Sequence, residues 1–316
     1  MSYTSYVPFF IFNRKSWSSL REGEMLTLSQ TDIFNLKKIN NHLSINDIID
    51  IYVPLSKLLN LYYCLNVDRQ SILKSLPKNI QTTQYITTPY VIGITGSVSA
   101  GKSTAAKILQ ILLSRWPQHR IVELVTTDGF LHNNKVLQKR NLMKKKGFPQ
   151  SYDMIKLINF ILQIKSGAHH IAIPIYSHKN YDIVPNIKQI IYKPDILILE
   201  GLNILQNYYN GSSSYFFMSD LIDFSIYVDA PEYLLREWYI NRFLKFCFTS
   251  FSNPNSYFYR YSRLSKKKIV CVASNFWSKV NGLNLQKNIL PSRNRAHLIL
   301  KKGKNHVINN VYLRKF

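Results

Sequence analysis

The chain has 316 residues, 46% of them hydrophobic and 18% charged, which excludes global disorder and supplies ample material for a core. Its 41 Lys and Arg outnumber 17 Asp and Glu, giving a net charge of +24 and a surface that attracts anions: nucleotides, coenzymes, nucleic acids or acidic membranes. Asn, Ile, Lys and Tyr crowd the sequence, so much of that surplus reads as solvated surface rather than a binding device.

At the N-terminus, the run Val7-Pro8-Phe9-Phe10-Ile11-Phe12 lacks a basic leader and a small-residue cleavage site, so it does not read as a signal peptide. Residues 17–75 read as helical: Ile33, Leu36 and Ile39 follow one apolar stripe, and Ser44 precedes another through Ile48, Ile51, Leu55 and Leu59. From Tyr90 the texture changes. Residues 90–95 form a β-branched strand ending in a Gly-rich turn, and 104–116 a helix stopped by Pro117. Strands are expected at 121–127, 196–199 and 224–228, a helix at 155–164, and late strands at 298–300 and 311–313. Alternating strands and helices specify an α/β fold: a P-loop NTPase-type, mainly parallel sheet flanked by helices, with an N-terminal helical extension. No composition break divides the chain, so residues 1–316 are expected to form a single domain, 1–85 the extension and 86–316 the core. No apolar run approaches the ~18–20 residues of a membrane span. Cys64, Cys247 and Cys271 lie far apart without a CxxC pair, which points to a reducing, cytoplasmic setting.

The chemistry starts at Gly96-Ser97-Val98-Ser99-Ala100-Gly101-Lys102-Ser103, a full match to GxxxxGKS/T between a strand and a helix. Glycines let backbone N–H groups curl around phosphate oxygens, and the following helix turns its positive end toward them. Lys102 is placed to reach the β- and γ-phosphates of ATP, and the Ser103 hydroxyl to hold Mg2+. Asp128 and Glu200 each end a strand. Parallel strands bring those ends to the same rim as the phosphate loop, where a carboxylate binds Mg2+ or accepts a proton from an alcohol. No NKxD-type or helicase motif follows, which favours a kinase acting on a small hydroxylated acceptor.

Beyond the loop, the sequence resembles the bacterial type I pantothenate kinase family. The resemblance rests on Gly96 through Thr104, Leu113-Ser114-Arg115-Trp116-Pro117, Thr126-Thr127-Asp128-Gly129-Phe130-Leu131-His132 and Leu142-Met143-Lys144-Lys145-Lys146-Gly147-Phe148-Pro149. Ser151-Tyr152-Asp153-Met154, Pro174-Ile175-Tyr176-Ser177-His178, Tyr227-Val228-Asp229-Ala230-Pro231-Glu232 and the run from Trp238 to Phe246 continue it over nearly the whole chain. It implies ATP-dependent phosphorylation of pantothenate, the first step toward coenzyme A, by a homodimer that coenzyme A inhibits in competition with ATP. It implies Asp128 as base, with Lys102 and Arg242 offsetting charge on the transferred phosphoryl group. Asn40, Lys302 and His306 match positions near the adenine. Tyr176, His178, Tyr239 and Asn281 match pantothenate contacts, and Phe243, Phe246, Tyr257, Phe258 and Tyr261 would wall the pantetheine side. The inhibitor would meet Lys102, Lys107, His178 and Phe246.

Tyr239, Arg242, Phe243 and Phe246 share one helix face, where three aromatics equally suit a plain core, whereas a buried Arg requires a partner. Departures from the family pattern touch regulation: Lys107 in place of Arg, the uncharged Cys247-Phe248-Thr249-Ser250, His42, Gly282, and a divergent loop at 207–219. The chain is therefore expected to be active with altered feedback. Two other readings stay open. A uridine kinase or phosphoribulokinase relative would share the loop logic. The drifted composition would suit a non-catalytic nucleotide binder, and the lysine runs 144–146 and 266–268 a nucleic-acid-binding protein, although no nucleic-acid module is visible.

Overall fold

The computed structural model describes residues 8–21, 29, 31, 32, 34, 44–75, 88–116, 121–206 and 217–316. A seven-stranded sheet runs in the order β1 (Phe9–Asn13), β9 (Ile308–Arg314), β8, β7, β2, β6, β3. Its centre is β2 (Tyr90–Gly96), flanked by β6 (Ile196–Glu200) and β7 (Phe224–Asp229), with β3 (Val122–Thr126) beyond β6 and β8 (Leu298–Lys302) beyond β7. These five strands are parallel. Every residue of β2 and of β6 is buried, as expected of continuous apolar strands covered on both faces. The register sets Glu200 opposite both Ile94 and Thr126, so β2, β3 and β6 deliver their C-terminal ends to one rim.

The helix Lys102–Leu113 buries Ala105, Ile108, Leu109, Leu112 and Leu113 against the sheet. The helix Met154–Lys165, N-capped by Asp153 accepting from the Lys156 N–H, buries Leu157, Phe160, Ile161 and Ile164. A third helix, Glu232–Phe248, leads into a separate aromatic cluster built on Phe243, Cys247, Phe251, Ile269 and Ala273.

Three features depart from the sequence expectations. The N-terminal segment opens with a strand, β1 (Phe9–Asn13), pairing antiparallel with β9 (Ile308–Arg314) at the sheet edge. A two-stranded sheet absent from the sequence reading, β4 (His170–Ser177) with β5 (Asp182–Tyr192), stands apart from the main sheet, with a register shift between Pro174 and Tyr176. In the extension, Ile45–Lys74 is continuously helical and contains a π-helical stretch at Ile48–Tyr52. That helix is long and apolar enough, by length and composition alone, to count as a candidate membrane span. Ile48, Ile51, Leu55 and Leu59 nevertheless lie in the protein core, and the buried Trp17 indole donates to the Ile51 carbonyl at 3.1 Å. Asn40, His42, the Ile33–Ile39 stripe and the loop at 207–216 fall outside the described residues.

Candidate active site

The phosphate loop joins β2 to the helix Lys102–Leu113 and turns through backbone that favours glycine. Gly96 has φ +139°, and a Cβ there would stand 2.4 Å from the Val228 carbonyl oxygen. Gly101 has φ +96°, and a Cβ there would stand 2.6 Å from the Lys302 Nζ. Both conformations favour glycine; at Gly96 the backbone carbonyl also leaves no room for a Cβ, whereas at Gly101 the flexible Lys302 side chain can move aside. Inside the curl, the Ser97 and Ser99 hydroxyls are buried without a hydrogen-bond partner. Buried polar atoms are ordinarily paired, so these orphans suit a loop whose missing partner is a phosphate group.

Lys102 is buried and donates to the Ser97 carbonyl at 2.9 Å, with its Nζ 3.7 Å from Glu200 Oε1. Burial lowers its pKa, and Glu200 and Asp128 oppose that shift. The Ser103 hydroxyl donates to Glu200 Oε2 at 3.1 Å. Burial raises the Glu200 pKa, opposed first by Lys102. A buried carboxylate beside a serine hydroxyl and a lysine fits the usual Mg2+–phosphate arrangement, in which substrate oxygens and water complete the coordination. Asp128, in the turn after β3, acts electrostatically on Lys102, Glu200 and Arg242, so all four converge on the rim.

Residues 91–245 match the model of the phosphoribulokinase / uridine kinase family. A pantothenate kinase of Sodalis glossinidius is 55% identical over 310 residues, spanning 98% of this chain and 97% of the relative. One of Photorhabdus laumondii is 54% identical over the same shares. The chain belongs to the pantothenate kinase family. Among solved structures, a putative fructose transport system kinase from Silicibacter superposes with a TM-score of 0.51 at 19% identity, over 71% of this chain and 92% of that one. A D-glycerate 3-kinase from Cryptococcus neoformans gives 0.52 at 13%, over 80% and 97%. At such identities the likeness establishes the P-loop kinase fold alone.

The remaining family positions sort by what they touch. Tyr176 and His178 meet edge to face, 5.2 Å between centroids. Asn281 faces the Tyr239 hydroxyl, which burial pushes up to about 12 while Asn281 pulls the other way. Phe243 contacts Phe258 and Tyr261 edge to face at 6.4 and 5.8 Å, and Tyr257 meets Phe258 at 5.0 Å, so these rings form one continuous wall. A cleft of about 580 Å³ opens between His178, Lys179, Phe246 and the loop at 249–253. The His306 ring stacks on Trp238 at 3.8 Å. Lys302 lies beneath the phosphate loop, donating to the Ala100 carbonyl at 2.9 Å, and burial lowers its pKa to about 8. Lys107 hydrogen-bonds Gln110 along its own helix at 2.8 Å.

Arg242 corrects one expectation. It is exposed rather than buried within the aromatic stripe, and its guanidinium lies over the Phe246 ring at 5.1 Å. Desolvation by its neighbours lowers its pKa, opposed first by Glu200 and then by Tyr239 and Asp128. Glu200 and Asp128 are thus its counter-charges, and an exposed guanidinium requires no buried partner.

Two residues at the rim were not singled out from the sequence. Tyr152 donates to Asp128 Oδ1 at 3.3 Å. Lys146, the last of three consecutive lysines, is buried while Lys144 and Lys145 are exposed. Its ammonium donates to Asn134 Oδ1 at 2.8 Å and lies 4.1 Å from the Tyr181 ring centroid, and burial lowers its pKa to about 8. Only the side of the loop that faces the core distinguishes Lys146 from its neighbours, which a charge run does not disclose.

Proposed function

We propose that this protein transfers the γ-phosphoryl group of ATP to the terminal hydroxyl of pantothenate, giving 4′-phosphopantothenate, the first step of coenzyme A synthesis. The carrying observation is 55% identity to a pantothenate kinase over nearly the full length of both chains, with the phosphate loop and Asp128 meeting at one rim. Asp128 accepts the proton of the attacking hydroxyl, while Lys102 and Arg242 offset charge on the transferred group. Backbone N–H groups of residues 96–104 cradle the triphosphate. Ser103 and Glu200 would hold Mg2+, which when bound neutralises charge on the phosphate oxygens. Lys302 supports the loop from below, with His306 beyond it on the adenine side. Tyr176, His178, Tyr239 and Asn281 hold pantothenate, whose carboxylate, amide and hydroxyls suit a mixed polar and aromatic wall.

Coenzyme A inhibits in competition with ATP, meeting Lys102, Lys107, His178 and Phe246. Lys107 retains the charge of the family's usual Arg without its two-pronged contact, so feedback is weakened. None of Cys64, Cys247 and Cys271 is in a disulfide among the described residues, which accords with a reducing cytoplasm. The working unit is a homodimer. On the helix Val53–Lys74, Leu61, Leu65 and Ile72 are 54%, 64% and 66% exposed along one face, an apolar stripe suited to a second copy. Sedimentation is expected to give about twice the mass of 37.0 kDa, and Leu65→Glu to halve it; a wild-type monomer at micromolar concentration would end the dimer reading.

The functional test follows ADP release from purified protein with MgATP and pantothenate, uridine or ribulose 5-phosphate. Turnover is expected with pantothenate alone and to fall when coenzyme A is added at low ATP. Turnover with uridine and not pantothenate would overturn the assignment.

A further inference from the structure

We infer that Tyr152 is a positioning residue for Asp128, holding one carboxylate oxygen so that the other faces the acceptor alcohol. The inference rests on the reading of Asp128 as the base. Tyr152 is buried, and its hydroxyl donates to Asp128 Oδ1 at 3.3 Å. Among the described residues, no other side chain hydrogen-bonds that carboxylate. The two segments are also joined through their main chains. The His132 N–H donates to the Ser151 carbonyl at 2.9 Å, the Asp153 N–H donates to the Phe130 carbonyl at 2.8 Å, and Leu131 and Tyr152 form an antiparallel bridge. The backbone at Tyr152 is therefore held against the turn that carries Asp128.

The surroundings explain why such a tether is needed. Lys102 and Arg242 both attract the Asp128 carboxylate, and Glu200 repels it. Left free to rotate, an acidic side chain among two cations and one anion would turn toward the phosphate-binding groups rather than toward the alcohol. A neutral donor anchors it without adding charge. Tyr152 suits that part, because burial, reinforced by Asp128 and Glu200, raises its pKa well above the usual value and keeps its proton in place. Occupying Oδ1 leaves Oδ2 to accept the hydroxyl proton as the oxygen attacks. Hydrogen bonds of this kind are often long without substrate and tighten on closure, so 3.3 Å is a resting distance.

The test uses the full-length enzyme with Tyr152→Phe and Tyr152→Met, which remove the hydroxyl while filling the space differently; thermal unfolding reports which of them folds. In a folded variant, kcat is expected to fall about 10- to 100-fold, the range for a lost hydrogen bond to a charged group. KM for ATP and for the acceptor should stay within about threefold. In an Asp128→Ala background, Tyr152→Phe should change the residual rate little, since it acts through Asp128. Retention of kcat within twofold in either folded variant would overturn the inference. So would an equal loss in the Asp128→Ala background, which would mark Tyr152 as merely structural. If the wild-type enzyme used another alcohol, the same kcat split would be read on that alcohol, so failure of the substrate assignment and failure of this tether are distinguishable.

Discussion

Replacing Asp128 with asparagine should lower kcat about 10²- to 10⁴-fold, the usual contribution of a positioned general base, while nucleotide affinity stays within a few fold. The substitution keeps size and shape and removes the basic oxygen. Asp128 raises the pKa of Glu200 and opposes the lowering of the Lys102 pKa, so the variant also removes one negative charge beside the triphosphate cradle. That change favours a polyanion and does not weaken ATP binding. The cradle itself, from Gly96 to Thr104, is untouched. Single-turnover ADP release separates the chemical step from binding, and equilibrium titration with a fluorescent ATP analogue measures the latter. A parallel loss of binding and turnover would place Asp128 in the nucleotide site. Undiminished single-turnover rates would remove it from the chemistry.

The phosphate cradle was legible because its signals are local. Glycine, lysine and serine at fixed spacing, between a β-branched run and a helical one, leave few alternatives, and the fully buried β2 and β6 are continuous apolar runs. The hairpin β4–β5 escaped for the opposite reason. It stands off the main sheet, its exposure is mixed, and Pro174 interrupts the first strand, so neither clean alternation nor an apolar run marks it. β1 buries little beyond Phe9 and owes its conformation to β9, some 300 residues away in the chain. Lys146 was hidden by Lys144 and Lys145, which look the same in sequence and differ only in which way the loop turns them. The ring wall proposed for the acceptor was legible only through family resemblance, since Phe243, Phe258 and Tyr261 pack against one another as any core would.

Arg242→Ala is expected to cost more than Asp128→Asn in the chemical step, about 10³- to 10⁵-fold, the range for an arginine that stabilises charge on a transferring phosphoryl group. The structure gives the reason for so large an effect from an exposed side chain. Arg242 already feels the charges of Glu200 and Asp128, and its guanidinium lies over the Phe246 ring before substrate arrives. Lys102 would act from the nucleotide side and does not duplicate it. That ammonium is committed to the Ser97 carbonyl and to Glu200 on the nucleotide side. Arg242→Lys should recover charge without the planar fork and restore only part of the rate. KM for ATP should move far less than kcat, because the cradle binds the ground state and Arg242 acts on charge that develops later. A loss below tenfold for Arg242→Ala would show that Lys102 and the bound cation suffice, and would reassign Arg242 to the wall of the acceptor cleft.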